Sequence, residues 1–363
     1  MANLIEYKCP SCGGVLQFDS ATQKLKCPYC DSTFDVDAFK TDDGTQASTP
    51  VEGNGGINIS ISSDTWNEAE AGNFGIYSCS SCGAEIIADE TTAATSCPYC
   101  NNNVILTGRL AGNLKPDCII PFKYSKEEAK EALRGHMKGK SLLPKVFSDE
   151  NHLDEIKGVY VPYWLYDCEA DTSASYRMTK VRSWADMNYS YTETSHYGAD
   201  RQGLVDFQNV PADASKSIAD ELTESLESFD YSELTDFKTA YLAGFFANRY
   251  DVPSEECLRR AKERIDISAL NTLDPTVQGY ATVSRSGGNV QLRNIRVKYA
   301  LMPVWILCTS WRGEKYLFAM NGQTGKFVGN LPVDKWRYWK YRLLYTGLIC
   351  AAVYALSIAA QFL

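Results

Sequence analysis

Eight cysteines carry the chemistry that this sequence announces. They form four Cys-x-x-Cys pairs: Cys9/Cys12, Cys27/Cys30, Cys79/Cys82 and Cys97/Cys100. Two residues between thiolates let one tight turn aim both sulfurs at a single ion about 2.3 Å away. Fourteen residues separate the first pair from the second, and again the third from the fourth. That is enough for a strand, a turn and a returning strand. The spacing predicts one closed site from Cys9, Cys12, Cys27 and Cys30, and another from Cys79, Cys82, Cys97 and Cys100. Four thiolates leave no open position for a reacting water, so the expected role is structural, with two Zn2+ ions. Iron in a rubredoxin-like site uses the same ligands and is the alternative metal. A dithiol redox role would need a βαβ pattern around the pairs, and none is visible.

The frame around the ligands is duplicated too. Tyr7-Lys-Cys9-Pro-Ser-Cys12-Gly13 is echoed by Tyr77-Ser-Cys79-Ser-Ser-Cys82-Gly83, and Cys27-Pro-Tyr-Cys30 by Cys97-Pro-Tyr-Cys100. The glycines can take the positive φ that such turns need. Each module is too small to hold a core without its metal, so metal binding supplies most of its folding energy. In these residues the chain resembles the zinc-ribbon family, in the Cys-Pro-x-Cys form of transcription factor IIB-type ribbons. Ribbons of that kind invite a nucleic-acid reading, and the charge argues against it. Residues 1–110 carry 14 acidic and 5 basic side chains, whereas 111–363 carry 31 of each. The first third therefore supplies the whole net charge of -9, where phosphate binding needs clustered Lys and Arg. Protein contacts are the expected use of the ribbons.

The rest of the 363-residue chain divides by composition. Residues 1–40 and 76–109 are the two ribbons, joined by an acidic Gly/Ser/Thr-rich linker, 41–75, in which Ile57, Ile59 and Ile61 alternate and Trp66 is set to dock on the second ribbon. An α+β core is expected over 110–334. Ser125-Lys-Glu-Glu128 is a capping box that opens a helix. Val159–Tyr166 and Val297–Cys308 read as buried strands, and 170–207 as antiparallel strands. Helices are expected over 214–226 and 254–270, and a hairpin around Asn321-Gly-Gln-Thr-Gly325. Val161-Pro-Tyr-Trp-Leu165 and Met302-Pro-Val-Trp-Ile306 echo each other, which suggests two related halves.

A basic and aromatic collar, 335–342, precedes 343–363, a run without formal charge. As a helix that run would span roughly 31 Å, close to the thickness of a bilayer's hydrocarbon core. Collar cations Lys335, Arg337, Lys340 and Arg342 hold the cytoplasmic side in this reading. The fold class expected is therefore an α+β core with two N-terminal β zinc ribbons and one C-terminal transmembrane helix. The protein would sit in the cell membrane as a single-pass tail-anchored chain, its N-terminal bulk cytoplasmic. Gly347, Ala351, Ala355 and Ala359 would offer one small-residue face to another spanning helix.

No catalytic constellation emerges. Gly322-Gln-Thr-Gly-Lys326 lacks the phosphate-loop spacing, His136, His152 and His196 are scattered, and Cys118, Cys168, Cys257, Cys308 and Cys350 have no ligand spacing. Met320–Lys326 and Leu331–Lys335, with Leu301–Trp305, resemble a bacterial family of tandem zinc-ribbon membrane proteins encoded beside a PspA-like protein, an SPFH-domain protein and a TPM-domain membrane protein. That resemblance implies an adaptor at the membrane's cytoplasmic face, serving envelope stress or membrane maintenance, with those proteins as partners. The alternative is a nucleic-acid-binding zinc-ribbon protein associated with replication or transcription.

Overall fold

The computed structural model describes residues 7–38, 59–61, 64–66, 74–89, 96–110, 113–144, 147, 155–329 and 332–361, without the side chains at 59–61, 89, 109, 220 and 355–361. Most of the expected linker and His152 lie outside these residues. The first module contributes β1 (Gln17–Asp19), β2 (Lys24–Lys26) and β3 (Thr33–Phe34), which form a small sheet of their own. After β4 (Ile59–Ile61), the second module supplies β5 (Phe74–Cys79), β6 (Glu85–Asp89) and β7 (Val104–Arg109). There follow β8 (Cys118–Ile119), α1 (Lys126–Met137), β9 (Lys157–Ala185), β10 (Ser190–Asp213), α2 (Asp220–Leu226), β11 (Thr235–Asp236) and β12 (Phe246–Asn248). The chain continues through α3 (Ser254–Leu273), β13 (Thr282–Trp311), β14 (Glu314–Asn321), β15 (Phe327–Gly329) and α4 (Lys335–Gln361). Strands β4 to β15 make one 12-stranded sheet.

At its centre β9 and β13 run antiparallel, Val161 opposite Met302. Both strands are buried on both faces there, which is why 159–166 and 297–308 read as continuous apolar runs and not as alternation. Tyr160, Trp164, Tyr299 and Trp305 point to one face, with Leu16, Phe18 and Leu25 of the first module in the same core. Val159, Val161, Met302 and Val304 point to the other, with Cys79, Cys97, Tyr99 and Cys100 of the second. The two modules thus cover opposite faces of one strand pair.

The echo around Val161 and Met302 is a real internal pseudo-symmetry. On its outer side β9 pairs with β12 in parallel (Val159 with Phe246) and then with β10 (Tyr163 with Asp213). At the matching positions β13 pairs with β8 (Ala300 with Cys118) and then with β14 (Val304 with Asn321). The hydrogen bonds repeat as well. Trp164 donates its indole N–H to Val252 O at 2.9 Å, and Trp305 to Tyr124 O at 3.0 Å. Ala214 N–H donates to Pro162 O and Gly322 N–H to Pro303 O. Ala214 O accepts from Asp251 and Val252, as Gly322 O accepts from Lys123 and Tyr124. Each half therefore runs short strand, helix, long strand, returning strand, and lends its short strand to the other half's long one.

Local expectations fared well. Ser125 caps α1 through the reciprocal box with Glu128, Trp66 is buried against Phe74 and Phe237, and Asn321–Gly325 is the turn between β14 and β15. Beyond the core, β9, β10 and β13 continue as a three-stranded arm. Strand β9 has 29 residues, roughly 95 Å of chain. Helix α3 lays Ala261, Ile265, Ala269 and Leu273 on the base of this arm.

Two expectations are corrected. The fold is mostly β: the three long strands take up chain that an α+β core would give to helices. And among the described residues no helix is long and apolar enough to cross a membrane. Helix α4 begins at Lys335, so the collar cations belong to its first turns. Arg337 donates to Leu143 O at 2.7 Å and Asp334 N–H to Leu142 O, which ties this end to the core. The transmembrane tail anchor, the single-pass cell-membrane placement with a cytoplasmic bulk, and the membrane-linked partners (PspA-like, SPFH-domain and TPM-domain proteins) lose their support. So does the helix-docking face: Gly347 has open space around it, Ala351 is exposed, and the side chains of Ala355 and Ala359 lie outside the described residues.

The pseudo-symmetry has a measurable consequence. Trp164→Phe and Trp305→Phe each leave a carbonyl without its indole donor, at a cost of about 1–3 kcal/mol. Urea unfolding of the two variants should show similar losses; a loss confined to one of them would mean the two halves match in shape alone.

Candidate metal centres

The two quartets come together as the spacing requires. In each, the four sulfurs lie within 4.8 Å of one another. Cys9 and Cys30 are 3.5 Å apart, Cys12 and Cys27 3.5 Å, Cys79 and Cys100 3.4 Å, and Cys82 and Cys97 3.6 Å. A tetrahedron with 2.3 Å metal–sulfur arms has edges of about 3.8 Å, so each quartet is close to the size a metal ion needs. All the cysteines are free thiols.

Four identical backbone turns hold the sulfurs. The carbonyls of Cys9, Cys27, Cys79 and Cys97 accept from the N–H groups of Gly13, Asp31, Gly83 and Asn101. Those four residues have φ of 74°, 57°, 77° and 57°. Glycine takes that conformation freely, and Asp and Asn tolerate it better than most side chains. The glycines were legible in the sequence. Asp31 and Asn101, directly after each Cys-Pro-Tyr-Cys, carried the same signal unread.

The sulfurs cannot all ionise side by side without a cation. In the first quartet, hydrogen bonds with the Ser32 hydroxyl and backbone bring Cys30 down to about 6. The Gly14 backbone pulls Cys12 down, yet its contacts with Cys27, Cys30 and Cys9 push it up to about 12. In the second, burial opposes ionisation of Cys79, but the backbone N–H groups of Cys82 and Ser81 bring it to about 7. Burial pushes Cys82 up to about 11 and Cys97 further. A soft divalent ion at the centre resolves this conflict. Lys157, on β9 and invisible to any local motif, adds a positive charge near Cys97, its ammonium donating to Ser96 O at 2.9 Å.

The two sites differ in where their tyrosines lie. The Tyr29 ring lies over Gly14, where an added Cβ would be 2.5 Å from Tyr29 Cδ2. The corresponding residue in the second module is Ala84, which is buried. Tyr99 turns inward and is 6% exposed, while Tyr29 stays 77% exposed. Burial holds the Tyr99 hydroxyl well above its ordinary pKa. Cys12 and Cys30 are exposed in the first quartet, and only Cys82 in the second. The first module docks mainly through side chains, with Phe18 against Tyr241 and Phe245, Tyr7 OH on Thr239, and Lys238 on Asp37. The second is joined to the large sheet through β6, which pairs with β12.

A protein of Bacillus subtilis (strain 168), described as uncharacterized protein YdjG, is 34% identical over 332 residues, 92% of this chain and 91% of its own length. The chain belongs to the YdjG family. A match of that length cannot be confined to the ribbons, so the family likeness includes the core. No protein-family signature and no solved structure matches the chain.

The other residues singled out from sequence do not converge on either centre. Cys118, Cys168, Cys257 and Cys308 are buried and Cys350 is exposed. His136 packs on Phe327, and His196 lies on β10. Gly322–Lys326 is a turn whose Gly322 O is taken by Lys123 and Tyr124, not a phosphate loop.

Removing one ligand from each site should have unequal effects. Cys27→Ser and Cys97→Ser should each release one of two bound ions, read by elemental analysis of the full chain. Cys97→Ser should lower the urea midpoint of the whole protein, whereas Cys27→Ser should mainly expose β1–β3 to proteolysis. Equal midpoints, or a single shared ion, would contradict the distinction.

Proposed function

We propose that the chain is a zinc-stabilised interaction scaffold, an adaptor that presents its first ribbon to a partner protein while its second braces the core. Zn2+ is the ion assigned to both sites, since four thiolates in a closed tetrahedron suit it and a structural role needs no redox chemistry. The observation that carries this reading is the divergence of two otherwise matching loops. Tyr99 is spent on the core, and Tyr29 stands out from a metal-rigidified surface, an aromatic of the kind that anchors protein interfaces. A rigid, exposed aromatic loses little conformational entropy on binding.

The nucleic-acid alternative would require free cations on the same module. Lys24 and Lys26 are instead paired with Asp35 and Asp31, at 2.8 and 3.1 Å, and the N-terminal third is acidic. No membrane attachment enters this reading.

The test compares full-length protein with Tyr29→Ser in cross-linking and partner recovery from cells. Metal content should stay at two ions and stability within about 0.5 kcal/mol, while recovery of the partner falls. Recovery unaffected by both Tyr29→Ser and Cys27→Ser would sink the scaffold role of the first module. Micromolar binding to single- or double-stranded DNA with a steep salt dependence would favour the alternative.

A further inference from the structure

Strand β10 finds no companion on its outer side among the described strands, and β13 finds none on its own outer side over 282–294. Strand β10 pairs with β9 without interruption from Ser190 to Phe207, and the register slips only between Phe207 and Val210. A free edge of that length is a template for another strand, and proteins usually guard it with proline, bulges or lysine. Here the bulge and Pro211 lie at the end near the core, and residues 190–207 contain no proline and no lysine. Tyr191, Tyr197 and Leu204 are exposed along this edge, among polar side chains such as Glu193, Gln202 and Asp206.

The order of charges along the edge is self-complementary. When β10 is set antiparallel to a copy of itself about a two-fold axis at Tyr197, Glu193 falls opposite Arg201 of the copy, and Arg201 opposite its Glu193. Tyr197 meets Tyr197, and Tyr191 lies across from Gly203, beside Leu273 of α3. The residues brought together share a face, because opposite residues of an antiparallel ladder do. Glu193 is exposed and Arg201 partly so, and the hydrogen bond recorded for Arg201 is with the carbonyl of its own neighbour, Asp200. Opposite charges directly across a pair of strands favour one register, and like charges disfavour it. α3 covers the base of the arm, and further out the Tyr197 ring packs on Tyr280 of its own chain, 5.4 Å away.

We propose that the chain forms a two-fold dimer by edge-to-edge pairing of β10, centred on Tyr197, which joins two three-stranded arms into a continuous six-stranded sheet. The occupant of this edge is a second copy of the chain, for the self-complementary charge order has no reason to suit an unrelated strand. The dimer would present two first ribbons at once and so raise the avidity of any paired partner.

The experiment is sedimentation velocity on the full-length, metal-loaded chain at micromolar concentration, with three charge variants. The wild type should sediment at twice the chain mass. Glu193→Arg and Arg201→Glu should each weaken the dimer by about tenfold or more, because each change sets like charges opposite each other twice. The double variant, Glu193→Arg with Arg201→Glu, should restore the wild-type dissociation constant to within about threefold. Circular dichroism and metal content confirm that every variant is folded. A folded wild type that stays monomeric overturns the proposal. So does a dimer that neither single reversal weakens, or one that the double variant fails to restore.

Discussion

Everything in this structure answers to one constraint: two neighbouring strands, β9 and β13, are apolar on both faces where they cross at Val161 and Met302. A sheet centre without a polar side cannot face water, so both surfaces must be covered. The covers come largely from segments that could not fold alone. Each four-cysteine module is too small for a core of its own. A metal held by the four thiolates would fix its loops, and docking on the central strands gives its few apolar residues (Leu16, Phe18 and Leu25, or Ile86 and Tyr99) a place to be buried. Metal binding and core packing are therefore coupled through the same side chains.

Duplication followed by divergence explains much of the detail. The two halves of the core keep matching tryptophan hydrogen bonds and matching Pro–carbonyl contacts, but their returning strands differ in length: β10 has 24 residues and β14 has 8. Asp213 and Asn321 occupy equivalent buried sites and do the same job, accepting from Ser215 N–H and Gln323 N–H. The ribbons differ in where their tyrosine lies: the Tyr29 ring is exposed over Gly14, and Tyr99 is buried in the core. A symmetric plan thus yields one buried tyrosine and one exposed one, and two returning strands of unequal length.

The sequence was most informative where chemistry fixes spacing. The eight ligands and the glycines behind them were legible because a tetrahedron of sulfurs admits few arrangements, and the capping box at Ser125 because its hydrogen bonds are local. The buried strands were recognisable from β-branched and aromatic content. Their extension into an arm was not, since residues 171–199 alternate polar and apolar like any half-exposed hairpin and nothing local reports a third strand. Lys157 could not be placed beside Cys97 before the fold brought β9 there. The terminal run, read together with its basic collar as a membrane span, is corrected because among the described residues no helix is long and apolar enough to cross a membrane. Helix α4 starts among cations and is tied to the core by Arg337. Hydropathy counts residues, and it does not see what a helix is attached to.

The claim on which the account rests is that the metal-bound modules protect the central strands. Its most direct test is hydrogen exchange of the full chain as zinc is titrated back after chelation. The amides of Val159–Tyr166 and Val297–Ile306 should exchange faster in the metal-free chain and regain full protection as the second site fills. Exchange at these amides that is identical with and without metal would contradict it.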